Sequence, residues 1–89
     1  MQRLLLTDDC FVELPVKACG FLMNQDCELV EAEKVGGGDG VLVRGVLLHS
    51  TASHYTMSCG GLYAKVPCRL LPGPFEEGGE REFFVRRRL

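Results

Sequence analysis

The sequence predicts an all-β protein: a small jelly-roll-like sandwich or barrel of about six to eight short strands. Three observations carry this expectation. Short apolar runs recur along the chain, broken by Gly, Pro and acidic turns. Windows with apolar residues at the i, i+3, i+4, i+7 spacing of an amphipathic helix are hard to find. The 89 residues, 46% hydrophobic and 25% charged, have the composition of a folded chain and leave room for one domain, taken as residues 1–89.

The elements follow in order. Arg3–Leu6 reads as a strand, closed by Asp8-Asp9, whose carboxylates can bond nearby backbone N–H groups. Phe11–Cys19 reads as the next strand; Pro15 inside it lacks a ladder donor and marks an edge or a bulge. The turn Met23-Asn24-Gln25-Asp26 leads into Cys27–Val35. There, Glu31 and Glu33 share the face away from Val30 and Ala32, as a half-solvated strand requires. Gly36-Gly37-Gly38-Asp39-Gly40 reads as a flexible hairpin tip.

Val41–His49 is almost continuously apolar, so both its faces are expected to be buried, in a core or at a subunit contact. Val41, Val43, Val46 and Leu48 are the candidate oligomer-interface residues. His54–Cys59 and Leu62–Leu71 are joined by the tight reversal Gly60-Gly61, and Pro67 again signals an edge or bulge. Leu14-Pro15-Val16-Lys17 and Val66-Pro67-Cys68-Arg69 read alike: apolar, proline, apolar, basic. Pro72-Gly73-Pro74 ends a strand, and Glu76-Glu77-Gly78-Gly79 leads to the last one, Arg81–Arg87. Phe83-Phe84-Val85 is expected to pack on the core, and residues 80–89 form a basic C-terminal strand or tail.

Net charge is −2, which excludes a strongly cationic nucleic-acid binder while allowing a local basic patch. The charge is uneven. Residues 1–40 hold eight acids and three bases, whereas residues 41–89 hold four acids and seven bases. Such a dipolar chain suits assembly in which unlike charges meet. No apolar run approaches the roughly 18 residues of a membrane-crossing helix. The N-terminal Met1–Leu6 meets Asp8-Asp9 too soon for a secretory signal.

Five cysteines, Cys10, Cys19, Cys27, Cys59 and Cys68, form no CxxC pair. The tight ligand spacing of zinc sites is therefore missing, and an odd count would leave one thiol over in a disulfide framework. They read as small buried apolar residues in an intracellular reducing compartment, nucleus or cytoplasm. No nucleophile elbow, metalloprotease helix, phosphate loop or dinucleotide fingerprint is present. A Ser/His/Asp set can be assembled only on paper, from Ser50, Ser53, Ser58, His49, His54 and Asp39. The expectation is a protein with no catalysis, cofactor, metal or membrane partner.

Two resemblances bear on the partner. Val12-Glu13-Leu14-Pro15-Val16-Lys17-Ala18-Cys19-Gly20, Gln25–Glu33, Thr56–Leu62 and Val66–Gly73 resemble strands of the nucleoplasmin core domain, and from Val12 to Lys65 the spacing needs no gap. The resemblance implies a pentameric jelly roll that binds basic proteins such as histones. Its acidic contacts would be Asp8, Asp9, Asp26, Glu28, Glu31 and Glu33.

Met23-Asn24 and Val43-Arg44-Gly45 are similar to the two base-binding signatures of Sm-like ring proteins. That alternative implies RNA bound by Asn24 and Arg44, with Arg86, Arg87 and Arg88 available to phosphates. A structural subunit of a larger complex is the third reading. The two families share a closed β module that forms rings, which would cover hydrophobic strand edges that a small core leaves exposed, and a homo-oligomer is expected.

Overall fold

The computed structural model describes residues 2–34 and 39–88. The fold is all-β. Seven strands, β1 (Gln2–Thr7), β2 (Cys10–Leu14), β3 (Cys27–Glu31), β4 (Gly40–Ser50), β5 (His54–Cys59), β6 (Leu62–Pro67) and β7 (Glu80–Arg87), form one antiparallel sheet. The order is β1-β2-β6-β5-β4-β7-β3. The sheet curls until β1 and β3 lie close, so the molecule is a nearly closed barrel rather than a two-sheet sandwich. Of the expected hairpin tip Gly36–Gly40, residues 36–38 lie outside the described residues, and Gly40 is the first residue of β4.

Alternation sets the interior. Leu4, Leu6, Val12, Leu29, Val43, Leu47, Met57, Ala64, Val66, Phe83 and Val85 point inward and are buried. Gly45 takes an inward position on β4 because a Cβ there would stand 2.8 Å from Met57 Sδ. Cys19 and Leu22 plug one end of the barrel. Leu71 is buried toward the other, where the Tyr55 and Phe75 rings meet edge-on at 5.0 Å. Gly60 and Gly61, both with positive φ, make the reversal between β5 and β6.

The two prolines end strands instead of bulging them. Pro15 (φ −62°, ψ 141°) caps the one-turn helix α1, Val16–Cys19. Pro67 (φ −60°, ψ 139°) caps a 3-10 turn, Cys68–Leu70. The two sequence echoes thus adopt the same strand–proline–helical turn conformation. A fixed φ and a missing N–H suit proline to the entry of a helical turn. For the same reason the strands expected to run on to Cys19 and Leu71 stop at Leu14 and Pro67. Cys27–Val35 likewise shortens: β3 ends at Glu31 and a 3-10 turn covers Ala32–Lys34.

Within one chain β4 buries one face rather than the two of a sandwich-core strand; the other expectation, a subunit contact, concerns its outer face. Val41, Val43 and Leu47 face the core, while Leu42 and Leu48 are 56% and 47% exposed. A single-layer barrel has one interior, so the second face of any strand is an outer surface. The named interface residues therefore divide. Val41 and Val43 belong to the core side, and Val46 and Leu48 to the outer side. Val43, 4% exposed, is out of reach of a partner.

Candidate interaction face

The acidic and basic halves of the chain meet inside one copy. β3 pairs antiparallel with β7 in a register that sets Glu28 beside Arg86. Glu28 accepts from Arg86 Nε at 3.1 Å and lies 3.7 Å from Arg88 Nη1. Arg88 also stands 3.3 Å from Asp26, Arg87 3.0 Å from Asp39, and Arg81 3.8 Å from Glu31. Opposite charges directly across a ladder are favourable neighbours.

Asp9 is clamped by both Nη atoms of Arg69 at 3.2 Å and accepts from Thr7 Oγ1 at 2.7 Å. Those bonds hold its carboxyl far below the ordinary carboxylate range. Of the six acidic residues singled out from the sequence, Asp8 and Glu33 are exposed without such a clamp among the described residues. The structure does not gather the six into one acidic surface: Asp9 serves the β1–β2 turn, and Asp26, Glu28 and Glu31 serve the β3–β7 ladder.

Asn24 and Arg44 are not brought together either. Asn24, at φ 62°, lies in the turn before β3 and lines a cleft of about 240 Å³ with Gln2–Leu5. Arg44 projects from the outer face of β4, 3.8 Å from Glu80 and 3.6 Å from Glu82, and borders a separate cleft with Leu14 and Pro15.

A hydroxyl–imidazole–carboxylate line does form, through Asp9 rather than Asp39. Ser53 Oγ is 2.8 Å from His54 Nδ1, and His54 Nε2 is 3.5 Å from Asp9 Oδ2. The Nε2 atom is shielded and has no hydrogen-bond partner among the described residues. The N–H groups of Ser53 and His54 both donate to Thr51 Oγ1, at 3.3 and 3.1 Å. They are thus unavailable to stabilise an oxyanion, and Asp9 is already held by Arg69. The cluster ties the segment before β5 to the β1–β2 turn and to Cys68, whose N–H donates to Ser53 O at 2.9 Å.

The feature that faces outward is apolar. In register, Val30 on β3, Phe84 on β7 and Leu42 on β4 form a row across three strands on the outside of the barrel. Phe84 lies over Gly40, where a Cβ would meet its ring at 2.5 Å and the Val85 carbonyl oxygen at 2.5 Å. The row is framed by charge on both sides. Glu28–Arg86 borders it toward one end of the strands, and Arg44 with Glu80 and Glu82 toward the other.

Sequence reasoning missed this row because it assigned Phe83-Phe84-Val85 wholly to the core. The signal was the period-2 pattern Glu80, Glu82, Phe84, Arg86, which puts Phe84 on the charged, outward side. Among the described residues no helix is long and apolar enough to cross a membrane, and no group of three or more His, Cys, Asp or Glu could hold a metal ion.

No family model, no curated protein and no solved structure matches this chain.

Proposed function

We propose that the chain is a non-catalytic assembly module that binds another protein through the outer face of β3, β7 and β4. The observation that carries the proposal is the Val30–Phe84–Leu42 row enclosed by ion pairs. An aromatic and aliphatic centre with a polar rim is the usual anatomy of a protein interface. Leu42 is exposed and Val30 and Phe84 are half-buried beside it, and outward apolar side chains gathered in one row mark interaction sites more than scattered ones do.

Acid-driven capture of a histone-like partner is the weaker reading, because Asp9, Asp26, Glu28 and Glu31 are already engaged by arginines of the same chain. RNA binding by a joint Asn24–Arg44 site is weaker for another reason: the two residues border different clefts.

The test is site-specific photocrosslinking inside the producing cell. A photoreactive residue at Leu42 is expected to give a discrete protein adduct. The same group at Tyr63, exposed on β6 two strands away from β4, is expected to give none. No discrete adduct at Leu42, or equal adducts at both positions, would sink the proposal.

A further inference from the structure

The barrel repeats itself. β1 and β5 begin at residues 2 and 54, β2 and β6 at 10 and 62, the capping prolines stand at 15 and 67, and the helical turns begin at 16 and 68, a constant offset of 52 residues. β3 and β7 follow those turns. Like pairs with like: β2 lies antiparallel to β6, and β3 antiparallel to β7. A two-fold relation between the halves produces that pairing, because it sets each element against its own counterpart.

Among the described strands only β4 stands outside this relation. It lies between β5 and β7, whose counterparts are β1 and β3. The place of a counterpart to β4 is therefore the seam between β1 and β3.

Strand direction points to the same seam. Every neighbouring pair in the sheet is antiparallel, so the end strands β1 and β3 run parallel to each other, and among the described residues no ladder joins them. One further strand, antiparallel to both, closes the barrel with the pairing used everywhere else. Eight strands enclose an interior that side chains just fill. The seam is also where the core is least covered. Leu4, Leu6 and Leu29, at 7%, 7% and 9%, have the largest exposures in the core cluster and come from the two lips. Clefts of about 240 and 260 Å³ open along it, the first lined by Leu4 and Cys27, the second by Leu6 and Leu29.

We infer that the β1–β3 seam takes up an extended segment of another protein as an eighth strand, antiparallel to both lips. The two edges supply backbone donors and acceptors, and Leu4, Leu6 and Leu29 receive side chains from alternate positions of the guest. The guest is a lone strand with apolar residues at every second position, as β4 has in Val41 and Val43. A folded second copy does not qualify. Each of its seven strands already has a ladder neighbour, whereas the seam needs a strand with both edges free. Paired strands lie about 4.8 Å apart, so the lips part to about twice that distance as the guest enters. The site is separate from the outer face of β3, β7 and β4 and does not depend on it.

The probe is a synthetic peptide with the β4 sequence, residues 40–50, added to the whole purified chain and followed by amide hydrogen exchange resolved by residue. Bound, it should slow exchange at alternate amides of β1 and β3 and leave β5 and β7 unchanged. The same peptide N-methylated at every second residue keeps its side chains and loses one ladder. It should bind at least about tenfold more weakly. A β4 peptide that does not bind, that binds without protecting β1 and β3, or that quickens exchange in β5 and β7 by displacing β4 would overturn the inference. Equal affinity of the N-methylated peptide would overturn it as well. Crosslinking at Leu42 reads the other face, so the two proposals fail separately.

Discussion

The Glu13 carboxylate accepts a hydrogen bond from the backbone N–H of Tyr63 at 2.9 Å, fifty residues along the chain. The β2–β6 ladder registers only Phe11 with Lys65 and Val12 with Ala64. One step further, the strands part, and a side-chain oxygen takes the place of the strand carbonyl. Arg3 holds the same carboxylate at 3.2 Å and lies over the Phe11 ring at 4.2 Å. Glu13 is 5% exposed, so its partners stand in for water. Glu13→Ala is expected to leave the Tyr63 amide without an acceptor. Hydrogen exchange at that amide should quicken more than at Ala64; unchanged protection would refute this role.

The same contact gives a pH dependence. The Tyr63 amide, and after it Arg3, hold the Glu13 carboxyl below its ordinary value of 4.5. The folded value lies below the unfolded one, so the stabilisation is complete above about pH 4.5 and is lost as pH falls through the depressed folded value. Asp9, held down by Arg69 and Thr7, acts in the same direction. Denaturant midpoints should decline below that pH, and Glu13→Gln should flatten the decline.

Phe83 and Phe84 are neighbours in sequence and opposites in environment. Phe83 is fully buried, whereas Phe84 lies on the outer face. Phe83→Ala is expected to cost about 3–5 kcal/mol, as aromatic truncation in a core does. Phe84→Ala should cost roughly 1 kcal/mol or less. Urea unfolding of the two variants measures both, at a protein concentration where the chain is monomeric. Equal losses would contradict the assigned orientation.

Gly40 has no space for a side chain. Its Cβ would stand 2.5 Å from both the Phe84 ring and the Val85 carbonyl oxygen. Gly40→Ala is expected to destabilise by about 1–3 kcal/mol through overpacking. Combining it with Phe84→Ala should recover only part of the loss, because the carbonyl clash persists. A double-mutant cycle would read that coupling, and full recovery would show that the ring alone is the obstacle.

Burial pushes the Cys10 thiol up to about 12 and the Cys59 thiol up to about 11. At neutral pH neither supplies an appreciable thiolate, so alkylation of the folded protein should be slow at both. Mass spectrometry after brief exposure to iodoacetamide should find them unmodified until denaturant is added. Rapid native labelling of Cys10 would contradict its place in the core.

Much of the fold was legible in the sequence for physical reasons that act locally. Glycine pairs, prolines and acidic turns punctuated the chain where the backbone does reverse, and each of the seven strand candidates corresponds to a strand. What local chemistry could not supply was partnership. Glu28 and Arg86 are 58 residues apart, and only the β3–β7 register places them together. Without that register the charge asymmetry pointed to a contact between molecules, when much of it is resolved within one. The apolar run in β4 did not distinguish its two faces for a related reason. Leu42 and Val43 are alike in hydropathy, and only a closed single layer gives them different surroundings.

The strand order has a consequence for how the chain matures on the ribosome. β7 follows the other six strands in the sequence, sits between β4 and β3 and, among the described residues, is the only ladder partner of β3. Until residues 80–87 have left the exit tunnel, β3 has nothing to pair with and β4 keeps one edge bare. The N-terminal strands β1, β2, β6, β5 and β4 can zip in the meantime, but the barrel wall stays open on one side. β7 therefore works as a keystone: its arrival recruits β3, buries Phe83 and Val85 and matches the acidic half of the chain with the basic half in one step.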